Sequence, residues 1–283
     1  MRIYSICAVA VLAVALAQAS LMAGPIVDYF DTSGTGDLHS QTSTANNSGW
    51  AGTGYVSGSN TVDAISGSLS FTNANYTDAV SGNKVQASNP DRSGGRKIGS
   101  FITGEVWMSY LVNLYNSSGS NTEVGLREGT GTGNEDWPGY GTGVDGVSYT
   151  WNTGTFQYDS GAAALSEDVT YLAVVRFDLS AGGSSLTAWH FAAGDAIPTT
   201  EAGLDALSAN KLTKSGLSYL TTGSANYVVY HGDSLHADSI RLSTEAGDNG
   251  LTEVLTGAAV PEPGSVTLLA GGGLVLLLRR RRR

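Results

Sequence analysis

The sequence predicts an all-β fold, a single β-sandwich, from three observations. Apolar and polar residues alternate over short runs, as in strands that bury one face. Clusters of Gly, Ser, Asn and Asp separate these runs every ~8–12 residues, and glycine accounts for 38 of the 283 residues. Helical periodicity is scarce, and no long biased linker divides the chain. Hydrophobic residues make up 41% of the sequence, which is enough for one core.

The longest single strand is predicted over residues 105–114. Alternation places four apolar residues, Val106, Met108, Tyr110 and Val112, on one face of this strand. That pattern is typical of a strand that packs one face against a core.

Other segments complete the strand pattern. A hairpin is predicted from residues 170–179 and 185–191, which flank a glycine-containing turn. Shorter strands are predicted at residues 68–71, 226–230 and 237–242. One or two helical turns are expected within residues 201–211, in a connection between strands.

The N-terminal segment, residues 1–23, has the features of a secretory signal peptide. A basic residue precedes a short apolar run, and Ala17-Gln18-Ala19 matches the small-residue pattern of a cleavage site. The run is shorter than the roughly 20 residues that span a bilayer. Cleavage is predicted after Ala19, with Ala23 as the alternative, and it removes the single cysteine of the chain.

The C-terminal segment, residues 260–283, contains a second set of signals. Pro261, Glu262 and Pro263 precede an apolar stretch over residues 265–278, predicted to form a short transmembrane helix of about 21 Å. The chain then ends in five arginines: Arg279, Arg280, Arg281, Arg282 and Arg283. Basic residues beside an apolar helix stay on the cytoplasmic side, so the body is expected on the outside.

This order of features resembles the PEP-CTERM sorting signal of exported bacterial proteins. The resemblance implies that an exosortase, an integral-membrane enzyme, recognises and cuts at Pro261, Glu262 and Pro263. It also implies export by the Sec machinery and contact with the membrane through the C-terminal helix before processing. The implied location is the cell envelope or extracellular matrix of a Gram-negative bacterium that makes exopolysaccharide. The resemblance covers only the tail and says nothing about the chemistry of the body.

The body, residues 24–259, resembles the concanavalin A-like lectin/glucanase superfamily, which includes LamG-like domains. The resemblance lies in the order of six short segments: Asp28 to Asp31, Gly49-Trp50, Gly95-Arg96, Val106 to Ser109, Val174 to Trp189 and Asp238 to Leu242. It implies a jelly roll of two antiparallel sheets.

The charge distribution argues against nucleic acid as a partner. The chain has a formal net charge of −10. Between residues 24 and 260, nine basic residues stand against 24 acidic ones, a net charge of −15. An acidic body of this kind repels a polyanionic backbone.

No catalytic pattern is present, so the body is predicted not to be an enzyme. Glucanases of the resembling superfamily carry a Glu-x-Asp-x-x-Glu strand, which this sequence lacks. Glu105 and Glu123 stand alone, and the adjacent Glu135 and Asp136 would point to opposite faces of a strand. These acids are expected to be solvated. A glycoside hydrolase or polysaccharide lyase with differently placed acids is the alternative function.

No cofactor is predicted, with calcium as the one candidate ion. The four histidines lack the spacing of a zinc site. Oxygen ligands in Asp- and Gly-containing loops suit calcium, which the resembling superfamily often binds. Asp233 and Asp145 are the candidate ligands.

Three aromatic residues are candidates for contact with sugar. Trp137 and Tyr140 lie in a Gly- and Pro-containing segment, and Trp50 lies in a Gly- and Ser-rich one. Rings beside carboxylates or amides can stack on the apolar face of a sugar. The predicted role is therefore structural or adhesive, with polysaccharide as the candidate ligand; a purely architectural role is the other non-enzymatic reading.

Overall fold

The computed structural model describes residues 24–43, 48–57, 62–78, 82–87, 93–115, 122–128, 139–142, 148–152, 155–158, 165–217, 220, 222–232 and 235–260. The chain divides into one compact unit, Pro25–Gly257, and a second unit made of its two ends, Met1–Gly24 and Ala258–Arg283. The predicted signal peptide and the sorting residues from 261 onward lie outside the described residues. No helix in the described ranges is long and apolar enough to cross a membrane.

The compact unit is built mainly of β-strands. In the described ranges these are β1 (Ile26–Asp28), β2 (Gly36–Asp37), β3 (Val56–Ser57), β4 (Asp63–Ser66), β5 (Asn83–Ala87), β6 (Ser93–Leu114), β7 (Thr122–Arg127), β8 (Gly139–Thr142), β9 (Ser148–Asn152), β10 (Thr155–Tyr158), β11 (Thr170–Leu179), β12 (Ser184–Ala192), β13 (Lys211–Leu217), β14 (Ser224–His231) and β15 (Leu235–Ser243). The helices are α1 (Glu201–Asp205), α2 (Gly247–Thr256) and a 3₁₀ turn at Leu38–Ser40. The prediction of a mainly β fold is confirmed, with two helices added to the strands.

The strands pair antiparallel in two sheets that share β6. Sheet I runs β13-β12-β11-β6-β15-β5-β4-β2, with β1 added along β15. Sheet II runs β10-β9-β8-β7-β14-β6, with β3 on the other side of β6. The strand passes from one sheet to the other at Gly104, whose φ of +75° suits glycine.

The main core lies between the two sheets. Met108 and Val175 of sheet I belong to the same buried cluster as Leu126 and Val228 of sheet II. The four residues predicted to share one face of residues 105–114 are all in this cluster. The predicted hairpin is also confirmed, as β11 pairs with β12.

The other face of sheet I carries a second core. Trp107 and Trp189 stack there with ring centroids 6.1 Å apart, beneath Leu204 of α1 and Leu251 of α2. The helical turns predicted within residues 201–211 are confirmed by α1, whereas α2 was not predicted. Residues 68–71 are not a strand, so that prediction is wrong. The amide N–H groups of Leu69 and Phe71 donate to the carboxylates of Asp238 and Asp78 instead of to a neighbouring strand.

Two fully buried arginines tie the layers together. Arg96 lies 3.1 Å from the Asp28 carboxylate, inside the main core. Arg241 donates to the carbonyl oxygens of Val254 and Leu255 at the end of α2, and to that of Thr77. A cation at this position complements the negative end of the helix.

Candidate functional site

The aromatic residues predicted to contact sugar do not present open rings. Tyr140 is 1% exposed, and its hydroxyl lies 2.5 Å from Nδ1 of His190. Trp50 is 7% exposed; its Nε1 donates to the Val27 carbonyl, and its ring lies 4.7 Å from the Arg96 guanidinium. Both residues hold the fold together, so sugar stacking by them does not fit their placement. The prediction was wrong for these two residues because it took their Gly-rich sequence surroundings for exposed loops. In the structure, Tyr140 lies on β8 and faces the main core. Trp137 lies outside the described residues and stays a prediction.

The predicted calcium ligands, Asp233 and Asp145, also lie outside the described residues. Within the described part of the chain, no three His, Cys, Asp or Glu side chains are grouped in a way that could hold a metal ion.

The acids weighed for catalysis are engaged in structure. One Glu105 carboxylate oxygen accepts from Trp107 Nε1 and from the backbone N–H of Gly247, each at 2.6 Å. Glu123 is 2% exposed and lies 3.6 Å from His231 Nδ1, so the expectation of a solvated acid is wrong for it. Glu135 and Asp136 lie outside the described residues.

A shallow groove of about 540 Å³ lies between α1 and α2. Glu201, Asp205 and Asp248 line it. Arg176 binds the Glu201 and Asp205 carboxylates, and Asp248 accepts the backbone N–H of Glu201. These contacts join the two helices to each other and to sheet I, which gives the acids a structural role.

The strongest candidate site is a row of polar side chains across sheet I, named here the polar row. Strand pairing sets Asp63, Gln86, His236, Asn113 and Thr170 side by side on β4, β5, β15, β6 and β11. Their sequence neighbours Ala64, Val85, Ala237 and Val112 face the main core, so the polar row faces away from it. At about 4.8 Å per strand, the row extends over roughly 19 Å.

Two features of the polar row suit a neutral, hydroxyl-rich ligand. Burial, with a smaller contribution from Lys84, lowers the pKa of His236 to about 4. At pH 7 the imidazole is therefore neutral and offers one donor and one acceptor. The ring of Tyr115 stacks on His236 with centroids 4.6 Å apart, which adds an aromatic edge to the row.

Sequence reasoning missed this site because its members are distant in the chain. His236 is one of the four histidines considered only for a zinc site, and the other four residues carry no motif. Each is a polar residue between two apolar sequence neighbours, a pattern that indicates a side chain facing away from the main core. Only the register of five strands shows that the outward positions form one row.

Comparisons with known proteins identify the tail of the chain. Residues 259–283 match the model of the PEP-CTERM protein-sorting motif. No curated protein sequence matches the chain.

Several solved structures are similar to the chain at low identity. Lectin II from Ulex europaeus is 7% identical with a TM-score of 0.37, over 65% of this chain and 98% of the lectin. Peanut lectin is 10% identical with a TM-score of 0.34, over 65% of this chain and 97% of the lectin. Trypanosoma rangeli sialidase is 11% identical with a TM-score of 0.37, over 87% of this chain and 37% of the sialidase. Likenesses at these TM-scores carry no inference about this chain's ligand. The finding that identifies the chain is its C-terminal signal: it carries a PEP-CTERM protein-sorting motif, which marks it as a secreted or cell-surface protein processed by an exosortase.

Proposed function

We propose that this is an exported, non-enzymatic adhesive protein that binds polysaccharide through the polar row. The observation that carries the proposal is the row itself, in which five strands present amide, carboxylate, hydroxyl and imidazole groups side by side. These groups both donate and accept hydrogen bonds, as sugar hydroxyls require.

The length and composition of the polar row favour a polymer over a single sugar. Asp63, Gln86, His236 and Thr170 are each partly exposed, whereas Asn113 at the centre of the row is 9% exposed. A single hydrogen bond contributes only ~0.5–1.5 kcal/mol. Several weak contacts spread over roughly 19 Å therefore suit a chain of repeating units.

The sorting motif supports the setting of this function. The matched motif lies at the end of the chain, directly after the described body. We propose that the body is a concanavalin A-like jelly roll delivered by this signal to the envelope or matrix of a Gram-negative bacterium. At such a location a protein meets exopolysaccharide at high concentration, and weak contacts repeated along a polymer suffice to hold it.

The experiment is a binding screen of the full chain, purified in a non-ionic detergent, against immobilised neutral and acidic polysaccharides. We expect binding to at least one neutral glucan or galactan, and loss of that binding on His236→Ala and Gln86→Ala. Thr213→Ala, at an exposed position on β13, is the matched control and should bind as the parent does. Absence of binding to every polysaccharide in the screen would favour the purely architectural role. Release of reducing ends or unsaturated products would contradict the non-enzymatic part.

A further inference from the structure

We propose that the surface around Phe101 rests on the lipid bilayer while the C-terminal sorting signal still holds the chain there. This surface, named here the Phe101 patch, consists of the exposed residues within ranges 48–54 and 97–104. The inference goes beyond polysaccharide binding by the polar row and does not depend on it. It uses only the membrane attachment that precedes processing of the sorting motif.

An irregularity in β6 turns the Phe101 side chain towards solvent. Ala225 of β14 pairs with Ile102 of β6, and Tyr227 pairs with Lys97, so four residues of β6 lie opposite a single residue of β14. A bulge of this kind bends the strand and redirects its side chains. Phe101 is 61% exposed, more than any other large apolar side chain in the described ranges, whereas Ile102 belongs to the main core. The phenyl ring is therefore available to a partner.

The Phe101 patch contains no acidic residue. Lys97 is the one charged residue in ranges 48–54 and 97–104, although the body as a whole has a net charge of −15. Glu105 and Glu128 flank the patch, and each carboxylate accepts a backbone N–H. An anionic bilayer repels a body with this net charge, so an acid-free surface is the part that can approach it.

Backbone contacts place the patch beside the start of β1. A Cβ on Gly49 would lie 2.4 Å from Cγ1 of Ile26, so this glycine packs against the first residue of β1. The N–H of Gly99 donates to the Gly49 carbonyl at 2.7 Å, and Phe101 follows two residues later. Phe101 and the N-terminal end of the compact unit therefore lie on the same side of it.

The C-terminal end of the compact unit also lies next to β1. A Cβ on Gly257, the last residue of this unit, would lie 3.2 Å from the hydroxyl of Tyr29, which directly follows β1. From Gly257 the chain reaches the predicted apolar helix at residue 265 within eight residues, at most about 28 Å when fully extended. A unit of this size is about 45 Å across. Because the tether is shorter than the unit, it holds the β1 side, and with it the Phe101 patch, towards the bilayer.

The composition of the patch suits the boundary between lipid headgroups and acyl chains. An aromatic ring enters that boundary, and neighbouring hydroxyls remain among the headgroups. Ser100 and Thr103 are exposed on either side of Phe101 and supply such hydroxyls. Transfer of most of one phenyl ring out of water favours the contact by roughly tenfold.

The test measures contact between the body and lipid in vesicles of phosphatidylethanolamine and phosphatidylglycerol that contain a headgroup-spin-labelled lipid as quencher. The full chain carries Cys7→Ser, so that one introduced cysteine takes the fluorescent label. The label is placed at Ser100→Cys or at the matched position Ser166→Cys. Ser166 is also exposed, but its neighbour Glu167 bridges to Leu114 at the opposite end of sheet I. We expect strong quenching at residue 100 and little at residue 166.

The contribution of the ring is tested by adding Phe101→Ser to the Ser100→Cys chain. Since Phe101 is exposed, this variant should keep the parental circular dichroism, and the contact should weaken roughly tenfold, seen as loss of most of the quenching.

Every other outcome overturns the proposal or part of it. Equal quenching at residues 100 and 166, or none at residue 100, overturns the orientation. Quenching that Phe101→Ser leaves unchanged overturns the assignment to the phenyl ring. A change at residue 100 that requires an exosortase in the same vesicles assigns the patch to that protein instead of to lipid. None of these results affects the proposed function, which the polysaccharide screen in detergent tests separately.

Discussion

Replacement of Asp238 by asparagine should change how the stability of the protein depends on pH. Asp238 is fully buried; its carboxylate accepts from the Ser68 hydroxyl at 2.5 Å and from the backbone N–H groups of Leu69 and Ser239. Burial raises its pKa from 3.8 to about 7, and the three hydrogen bonds oppose this shift only in part.

The direction of the pH dependence follows from whether the folded or the unfolded chain keeps the proton of Asp238. Between pH 3.8 and about 7 the folded chain keeps the proton of Asp238, whereas the unfolded chain has lost it. The contribution to stability is therefore complete below pH 3.8 and is lost as the pH rises through 7. Over the whole window it amounts to about 4 kcal/mol, and between pH 5 and pH 8 to about 2–3 kcal/mol.

Two histidines contribute a pH dependence of stability opposite in sign to that of Asp238, and the two effects must be measured separately. Burial lowers the pKa of His190 and of His236 to about 4, so their contributions grow as the pH rises from 4 to 6.5. The pH profile of the parent alone therefore combines contributions of opposite sign. The difference between the parent and the D238N variant cancels the histidines, because both chains contain them.

The assay is urea unfolding followed by tryptophan fluorescence at pH 5, 6, 7 and 8. The free energy of unfolding of the parent, relative to that of D238N, should fall by about 2–3 kcal/mol from pH 5 to pH 8. Ser239→Ala perturbs the same irregular segment of β15 without removing a titrating group, so the difference in unfolding free energy between it and the parent should stay constant with pH. A constant difference for D238N as well would refute the reasoning, since it would mean that folding leaves the pKa of Asp238 near 3.8.

Three further predictions concern packing and sorting. Gly250→Ala would place a Cβ 2.0 Å from the Glu245 carbonyl oxygen and 2.5 Å from Trp107, so urea unfolding should show a loss of about 2–4 kcal/mol. Gly183→Ala, where no atom lies within 4 Å, is its control. Arg241→Met should cost about 2–3 kcal/mol, because the two buried carbonyl groups of Val254 and Leu255, and that of Thr77, lose their donor; a cost no larger than that of Lys214→Met would count against this role. Glu262→Ala should leave unprocessed, membrane-retained protein on immunoblots of fractionated cells, and normal processing would exclude Glu262 from the recognised motif.

The sequence by itself determined the fold class and the identity of the tail. Alternation over residues 105–114 identified the face that meets the main core, because a strand's side chains change sides at every residue. The sorting motif was equally accessible, since an exosortase reads a short local sequence and needs no tertiary contact to define it.

The tertiary structure decided the rest. Helix α2 was missed because two of its first four residues are glycine, and its helical form depends on packing Leu251 and Val254 over Trp107. Tyr140 looked exposed in the sequence, yet its strand turns it into the core. The polar row is assembled by strand register alone: His236 meets Asn113 across more than a hundred residues of chain. Long-range strand pairing leaves no local trace in the sequence, so only the folded sheet could bring these residues together.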